Sequence, residues 1–484
     1  MFGDIFVDNY DQRTSFSQEE IPFNKLTFKE KLNIASEIAT AAVPNIISSL
    51  GSLLKDAISL YFIGHLNNNL LFAALGFGLT WSNAFATAVI FGFAAGFGTL
   101  ASQAYGAGNH YKLGLLYQKV LVVTSIVIFF ISIFLWFTKA ELVAMGFKEE
   151  LSYHIQKFIR WLMVDFFFCM LFEVTRFYLV AQNAFYVPAY ILTLTTTLHI
   201  FWCHLLINVM GLELVGMSIA RTITDGTSAI LILLYAKYRN PCPESWFPWT
   251  PECLQGLGTF TKDIASHGSS VYAEWIAFEI SMIFLGFLGD ELILAAHAAT
   301  LNYIFLNYNV TFGFTLSTTV HVGNAAGEGS LHKAQKYAYI GLILNATLIT
   351  CQNIFMFMMK NYIAYFYTAE RDVRSYIAIM LTFYFFGMHG DLGCNTLAYL
   401  LRTLGQDRFV LKSYLFSYYG VGVSLSLITG VILGYGYYGI WGSLILGCWI
   451  MLGLNVMRFM GLDWPKEINK IYHEMKKTSE LEMM

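Results

Sequence analysis

GFAAGFGTLASQAYGAGNHYK, Gly92 to Lys112, aligns without a gap on GFTLSTTVHVGNAAGEGSLHK, Gly313 to Lys333, 221 residues downstream. Gly92, Phe93, Ala104, Gly106, Gly108 and Lys112 fall on Gly313, Phe314, Ala325, Gly327, Gly329 and Lys333. Just upstream, FIGHL (62–66) falls on FLGFL (284–288) and LLFAA (70–74) on LILAA (292–296), at an offset of 222. One residue has been gained or lost between the blocks. Small residues alone recur wherever helices pack closely. A gap-free match across an apolar stretch and its following loop points instead to a duplicated unit.

Everything around the two copies is apolar. Of 484 residues, 56% are hydrophobic and 13% charged, with a mean hydropathy of +0.55; soluble domains carry about 25% charged residues. The net charge of −3 carries no information about nucleic acid, and no nucleic-acid partner is expected. The seven cysteines are scattered, and Cys242 and Cys253 flank a Pro- and Trp-rich loop at a spacing that fits no metal signature. The N-terminal segment lacks the basic start and short apolar core of a secretory signal.

Apolar stretches long enough to cross about 30 Å of hydrocarbon recur along the chain, and only helices satisfy their own backbone there without a closed barrel. The expectation is an all-α polytopic membrane protein of twelve transmembrane helices in two pseudo-symmetric six-helix lobes. Residues 1–36 form an N-terminal tail, 37–237 the first lobe, 238–266 a polar linker, and 267–460 the second lobe. Residues 461–484 form an amphipathic tail at the membrane surface. Six spans per half keep both halves in one orientation, so the repeat is parallel, with its axis along the membrane normal and substrate sites near the midplane between halves. The Lys and Arg bias favours cytoplasmic termini and linker, although Lys139, Lys148, Lys157, Arg160, Lys360, Arg371 and Arg374 fall on the outside loops.

The span beginning at 267 carries two acids, Glu274 and Glu279, and an ionisable group inside a span is a functional hypothesis by default. Five residues at 100° each set the two about 140° apart around the helix, so Glu274 is expected to face the lobe's cavity and Glu279 its edge or a neighbouring helix. Asp391 is a third midspan acid. The matched positions of the first lobe are Ser52 and Ala57, so at this register only the second copy carries the carboxylates. Arg221 with Asp225, and Glu173 with Arg176, are spaced to pair along single helices.

FIGHL, GFGTLASQAYGAGN, AEWIAFE, HVGNAAGEG, LLRTLGQ, and YYGVGVSL followed by YGIWGSLILG stand in order along the chain. Together they resemble the motifs of the multidrug and toxic compound extrusion (MATE) transporters, in their eukaryotic branch, over nearly all of Pro44 to Trp464. The resemblance implies two six-helix lobes facing each other in a V that opens alternately to either side. It implies export of amphipathic organic solutes, often cations, in exchange for protons before sodium, with no cofactor beyond the ion gradient. Small organic solutes and the bilayer are then the partners, the protein acts as a monomer, and it resides in the plasma membrane or an endomembrane such as the vacuole's.

Glu274 falls on the Glu that the family ties to proton coupling and cation binding, and Glu279 on the second Glu of the same motif. Asp391 falls where the family carries Glu or Asp eleven residues before Arg402. Desolvation disfavours the charged form of a carboxyl, so that protonation and substrate binding can compete there. Asn83 and His199 match polar family positions and are candidate cavity contacts, weighed against an interhelical bond and a packed neutral imidazole. Bacterial relatives carry a functional Asp six residues before the Gly matching Gly64; that position is Ile58 here, and Asp56 lies two residues away. Departures from the family pattern are Ile276 for a Trp, Ser266 for Pro, His321 for Arg, Thr403 for Gly, and Leu301 where some animal members carry Glu.

The competing readings are a flippase of lipid-linked or polysaccharide cargo, a sodium-coupled antiporter, and a membrane enzyme or receptor. A flippase favours a basic cavity for phosphates, whereas the candidate residues here are acids. An enzyme has no His-Glu metal pair or Ser-His constellation to work with. A receptor does not require two similar halves.

Overall fold

The computed structural model describes residues 23–66, 68–288, 290–368 and 370–481, without the side chains of Asn24, Asn69, His267, Ser270, Val271, Trp275, Glu279, Phe287, Glu291 and 477–481. Among the described residues it is all helix and loop. The first half contains α1 (Phe28–Gly64), α2 (Leu70–Gly106), α3 (His110–Trp136), α4 (Glu149–Ala181), α5 (Tyr186–Val209) and α6 (Glu213–Tyr238). The second contains α7 (Leu257–Phe287), α8 (Glu291–Gly327), α9 (Leu331–Tyr367), α10 (Arg371–Thr403), α11 (Asp407–Ile432) and α12 (Gly436–Met460). A last helix, α13 (Trp464–Leu481), follows. Nine of these are apolar enough over a full span to cross a membrane by composition. The remaining long helices, α4, α7 and α8, bury polar residues such as Asp165, Glu274 and Thr315. On α3, Ile126, Phe129, Phe130 and Ile133 are exposed, as lipid-facing side chains are.

The duplication reaches the helix ends. Asn68 caps α2 by accepting from the N–H groups of Leu70 (3.1 Å) and Leu71 (3.2 Å). Its partner 222 positions on, Asp290, caps α8 by accepting from Leu292 (2.9 Å) and Ile293 (3.2 Å), which satisfies donors a helix start leaves orphaned. Both helices then end at a left-handed glycine, Gly108 (φ 70°) and Gly329 (φ 76°), a conformation only glycine adopts without strain.

The lobes meet where these matched helices cross. A Cβ on Gly106 would collide with the backbone carbonyl of Asn324, and one on Gly327 with that of Gln103; these two contacts exchange under the 221-residue offset. Deeper in the bundle, a Cβ on Gly92 would lie 2.8 Å from Gly268 Cα, and one on Gly313 would strike Ile46, the counterpart of Gly268. Side-chain amides repeat the pattern. Gln103 donates to the Thr403 carbonyl at 2.9 Å. Asn324, in the orientation that satisfies its whole amide, donates to the carbonyls of Ser102 (2.8 Å) and Ala181 (3.3 Å), and Ala181 is the counterpart of Thr403. Ser317 Oγ to the Ile38 carbonyl (2.9 Å) and Tyr337 Oη to Glu37 (2.9 Å) also cross between lobes on this face.

Some boundaries differ from the sequence reading. The seventh helix begins at Leu257, ten residues before the apolar window at 267, because the polar turn Thr261–Ser266 continues the same helix. The segment before it is packed: Asn240 donates to Tyr178 Oη (2.7 Å), and Phe247 stacks on Tyr111 (4.7 Å between centroids). The tail helix α13 buries Ile468, Ile471 and Met475 against protein. It also accepts from Asn109 at the Met475 carbonyl (3.0 Å) and from Lys112 at the Glu474 carbonyl (2.7 Å).

Candidate functional site

In the second lobe, Glu274 on α7 is 3% exposed and sits between α10 and α11. Asn395 Nδ2 donates to its Oε1, and Tyr414 Oη donates to Oε2 at 3.3 Å. Asp391, one turn before Asn395 on α10, is equally buried and accepts from Tyr384 Oη at 2.9 Å. Tyr418 stacks on Tyr414 with centroids 5.6 Å apart. Both acids are therefore held by neutral donors. Next to them, between α8 and α10, is a small hollow of about 10 Å³, room for about one water, bordered by Tyr308, Phe312, Thr315, Asn395 and Tyr399. Glu279 lies on α7, but its side chain is outside the described residues.

The first lobe has buried charges of its own, differently held. Lys55 Nζ lies 2.6 Å from both oxygens of Asp225. Arg221 bonds Asp56 through Nη1 and has Nε 3.7 Å from Asp165 Oδ2. The spacing-based pairing of Arg221 with Asp225 is thus corrected: each reaches across to α1, where Lys55 and Asp56 offer stronger partners than a neighbour on the same helix. Glu173 and Arg176 do pair along α4, at 2.6 Å. Asp165 had no part in the sequence reading; its only signal there is an acid inside the apolar run WLMVDFFFCM. The lobes therefore differ in how their acids are neutralised rather than in whether they have any.

Among the cavity candidates, His199 is fully buried beside this network, with Nδ1 2.8 Å from Thr224 Oγ1 and Nε2 3.3 Å from Ser59 Oγ. That is the packed, satisfied imidazole. Asn83 opens a π-helical turn, Asn83–Thr87, within α2; such turns are frequent at functional sites. Neither residue is brought to Glu274. Asn395, Tyr414 and the Arg402 side chain are members of the second-lobe cluster that the sequence reading did not select.

The MatE family profile matches residues 44–205 and 269–428, one segment in each lobe. The chain belongs to the MatE family. Multidrug and toxin extrusion protein 1 of Xenopus tropicalis is 24% identical over 456 residues, 94% of this chain and 78% of that protein. Protein DETOXIFICATION 22 of Arabidopsis thaliana is 25% identical over 451 residues, 92% and 90% of the two chains. The crystal structure of the eukaryotic MATE transporter AtDTX14 superposes with a TM-score of 0.88 at 20% identity, covering 92% of this chain and 99% of that one. That of the Vibrio cholerae MATE transporter VcmN in the bent form gives 0.78 at 16% identity, covering 92% and 98%. This MATE chain is a multi-pass membrane transporter of the eukaryotic type, and its fold is that of the family's solved members.

Proposed function

We propose that this MATE protein exports amphipathic organic solutes, cations foremost, in exchange for protons by alternating access between its lobes. Glu274 is the exchanging carboxyl, with Asp391 as a second proton-carrying group and Glu279 as a contributor at the edge of the same helix. The names of its relatives, multidrug and toxin extrusion proteins among them, support the class of cargo. The observation that carries the reading is the contrast between lobes. The first-lobe acids are bonded to Lys55 and Arg221, whereas Glu274 and Asp391 are bonded only to amide and phenol groups. A carboxylate tied to a buried cation is already neutralised. One hydrogen-bonded only to neutral donors, with the buried Arg402 charge acting on Glu274 through space and not through a bond, stays open to exchange between a proton and the cargo's positive charge, and that competition is what an exchanger requires. In the first lobe the Lys55 and Arg221 charges are taken up by acids, so neither is left to hold a phosphate.

The cargo and protons move as the closed face opens. With termini cytoplasmic, the Gln103–Gly327 crossing closes the inner side, and the protein works as a monomer in the plasma membrane or an endomembrane. The test is uptake of tetraethylammonium into proteoliposomes under imposed proton or sodium gradients. Wild-type uptake is expected to follow the proton gradient and to fall at least a hundredfold in Glu274→Gln. Uptake indifferent to the proton gradient, or untouched by that substitution, overturns the proposal.

A further inference from the structure

The face on which the lobes meet holds a titratable cluster that exchange at Glu274 does not use. His321, near the end of α8, is buried and is gripped from both lobes. From the first lobe, Phe185 in the α4–α5 turn stacks on its ring, with centroids 5.8 Å apart and planes at 11°, and Glu37 on α1 has Oε1 3.6 Å from its Nε2. From the second, the Tyr337 ring on α9 lies 4.9 Å away, and its hydroxyl donates to Glu37 Oε2 at 2.9 Å. His321 Nδ1 stands 2.7 Å from the Ser317 carbonyl. A carbonyl only accepts, so Nδ1 carries a proton in either charge state, and the neutral ring is left with a bare lone pair on Nε2. That lone pair faces a carboxylate. Only the imidazolium has an N–H to direct at Glu37, so protonation turns an unfavourable approach into an ion pair. Among the described residues, the other charged group acting on Glu37 is Lys333 on α9, itself 2.6 Å from Glu328 on the α8–α9 turn, and the α4–α5 turn adds only the apolar Phe185. Under the repeat, His321, Glu37 and Tyr337 fall on Leu100, Thr259 and Leu115, so the matched crossing has neither the acid nor the imidazole.

We propose that Glu37 and His321 form a proton-sensitive latch between the lobes, fastened by acid on the side of the membrane that this face shuts. Parting the lobes draws Glu37 and Phe185 away from His321 and Tyr337, so the ion pair exists only in the shut arrangement. Closure therefore takes up a proton at His321: falling pH favours the shut face, and rising pH releases it. Histidine is the side chain that changes charge between roughly pH 5 and pH 8, and the Glu37 side chain is half exposed, which leaves the pair within reach of protons from that side. With termini cytoplasmic, the latch lies on the inner side. A transporter that admits protons there in exchange for cargo acidifies the compartment the latch senses, and the latch slows the cycle as those protons accumulate.

The latch rests on the alternating access proposed above but not on which carboxyl exchanges, and the two fail separately. Spin labels at His110→Cys and Ser330→Cys report the separation of the lobes in the full chain, with the exposed native cysteine removed as Cys351→Ser. Glu274→Gln and Asp391→Asn are added so that neither acid titrates. In lipid nanodiscs, the ratio of shut to open populations is expected to be about threefold higher at about pH 5.5 than at about pH 8, the size of an ion pair in contact with water. His321→Arg, charged at both pH values, is expected to keep the higher ratio throughout. Glu37→Gln is expected to keep the lower one, and its half-exposed position carries the test should the substitution at the buried ring not fold. A ratio indifferent to pH in the labelled protein, or a pH dependence that persists in Glu37→Gln, overturns the latch. Closure that follows pH in a protein whose tetraethylammonium uptake ignores the proton gradient overturns the exchange mechanism and leaves the latch standing.

Discussion

A carboxyl's neighbours decide what it can do. Lys55 meets Asp225 with 8% and 5% exposure, respectively, and two ions removed from water recover their hydration only through each other. Lys55→Met leaves Asp225 buried and unpaired, with Asp165 close by. It is expected to destabilise the protein by about 3–5 kcal/mol, read as a lower unfolding temperature in detergent. Adding Asp225→Leu removes the orphan charge and restores most of that loss. Glu274→Gln is expected to behave in the opposite way. An amide replaces a carboxyl held by Asn395 and Tyr414, so unfolding shifts little while proton-driven uptake stops. A structural role for Glu274 predicts the reverse pair of results. The acids in α7 and α10 were legible in sequence because they are ionisable groups inside otherwise apolar spans. Their partners were not: Asn395 and Tyr414 are ordinary residues until the helices are placed, and Asp165 and Lys55 reach each other's neighbourhood only across three helices.

At the scale of helices, amphipathic periodicity identifies a covered face but not what covers it. The tail read as a surface helix has Ile468, Ile471 and Met475 buried on protein, because α13 crosses beneath both lobes. It holds Asn109 and Lys112 of the first lobe, and a Cβ at Gly329 of the second would lie 2.9 Å from Tyr472. Trp464 lies 6.1 Å from Tyr339 on α9. A strap touching both lobes stabilises the arrangement in which both contacts exist. Truncation after Gly461 is therefore expected to lower the unfolding temperature and to speed proteolysis in the α2–α3 turn at Ala107–Asn109. An unchanged cleavage pattern would show that the strap holds nothing. The helices themselves were readable because their length, caps and left-handed glycines are local properties. Asn68 and Asp290 stand two residues before matched apolar runs, and Gly108 and Gly329 follow them at distances that differ by a single residue.

Across the whole molecule, the duplication is visible as contacts that exchange partners: Gly106 on Asn324 with Gly327 on Gln103, and Gln103 to Thr403 with Asn324 to Ala181. The sequence showed the repeat, with an offset of 221 for Gly106–Gly327 and Gln103–Asn324 and 222 for Ala181–Thr403, but which repeated residues would touch depends on the two-fold axis passing between α2 and α8. Contacts so close that no Cβ fits are formed when this face is shut, and they are lost when the lobes part. Gly106→Ala and Gly327→Ala should therefore leave each lobe folded while disfavouring the shut face. By the symmetry of the crossing, the two substitutions should do so to a similar extent. Spin labels at Ser330→Cys and His110→Cys, on the exits of the matched helices, report the separation. Each alanine variant is expected to shift the distance distribution toward the longer, open population, and to lower uptake in proportion to the shut state lost. If one substitution opens this face and its counterpart does not, the crossing is held by something other than the repeated backbone contact, and the symmetry of the fold is not the symmetry of its gate.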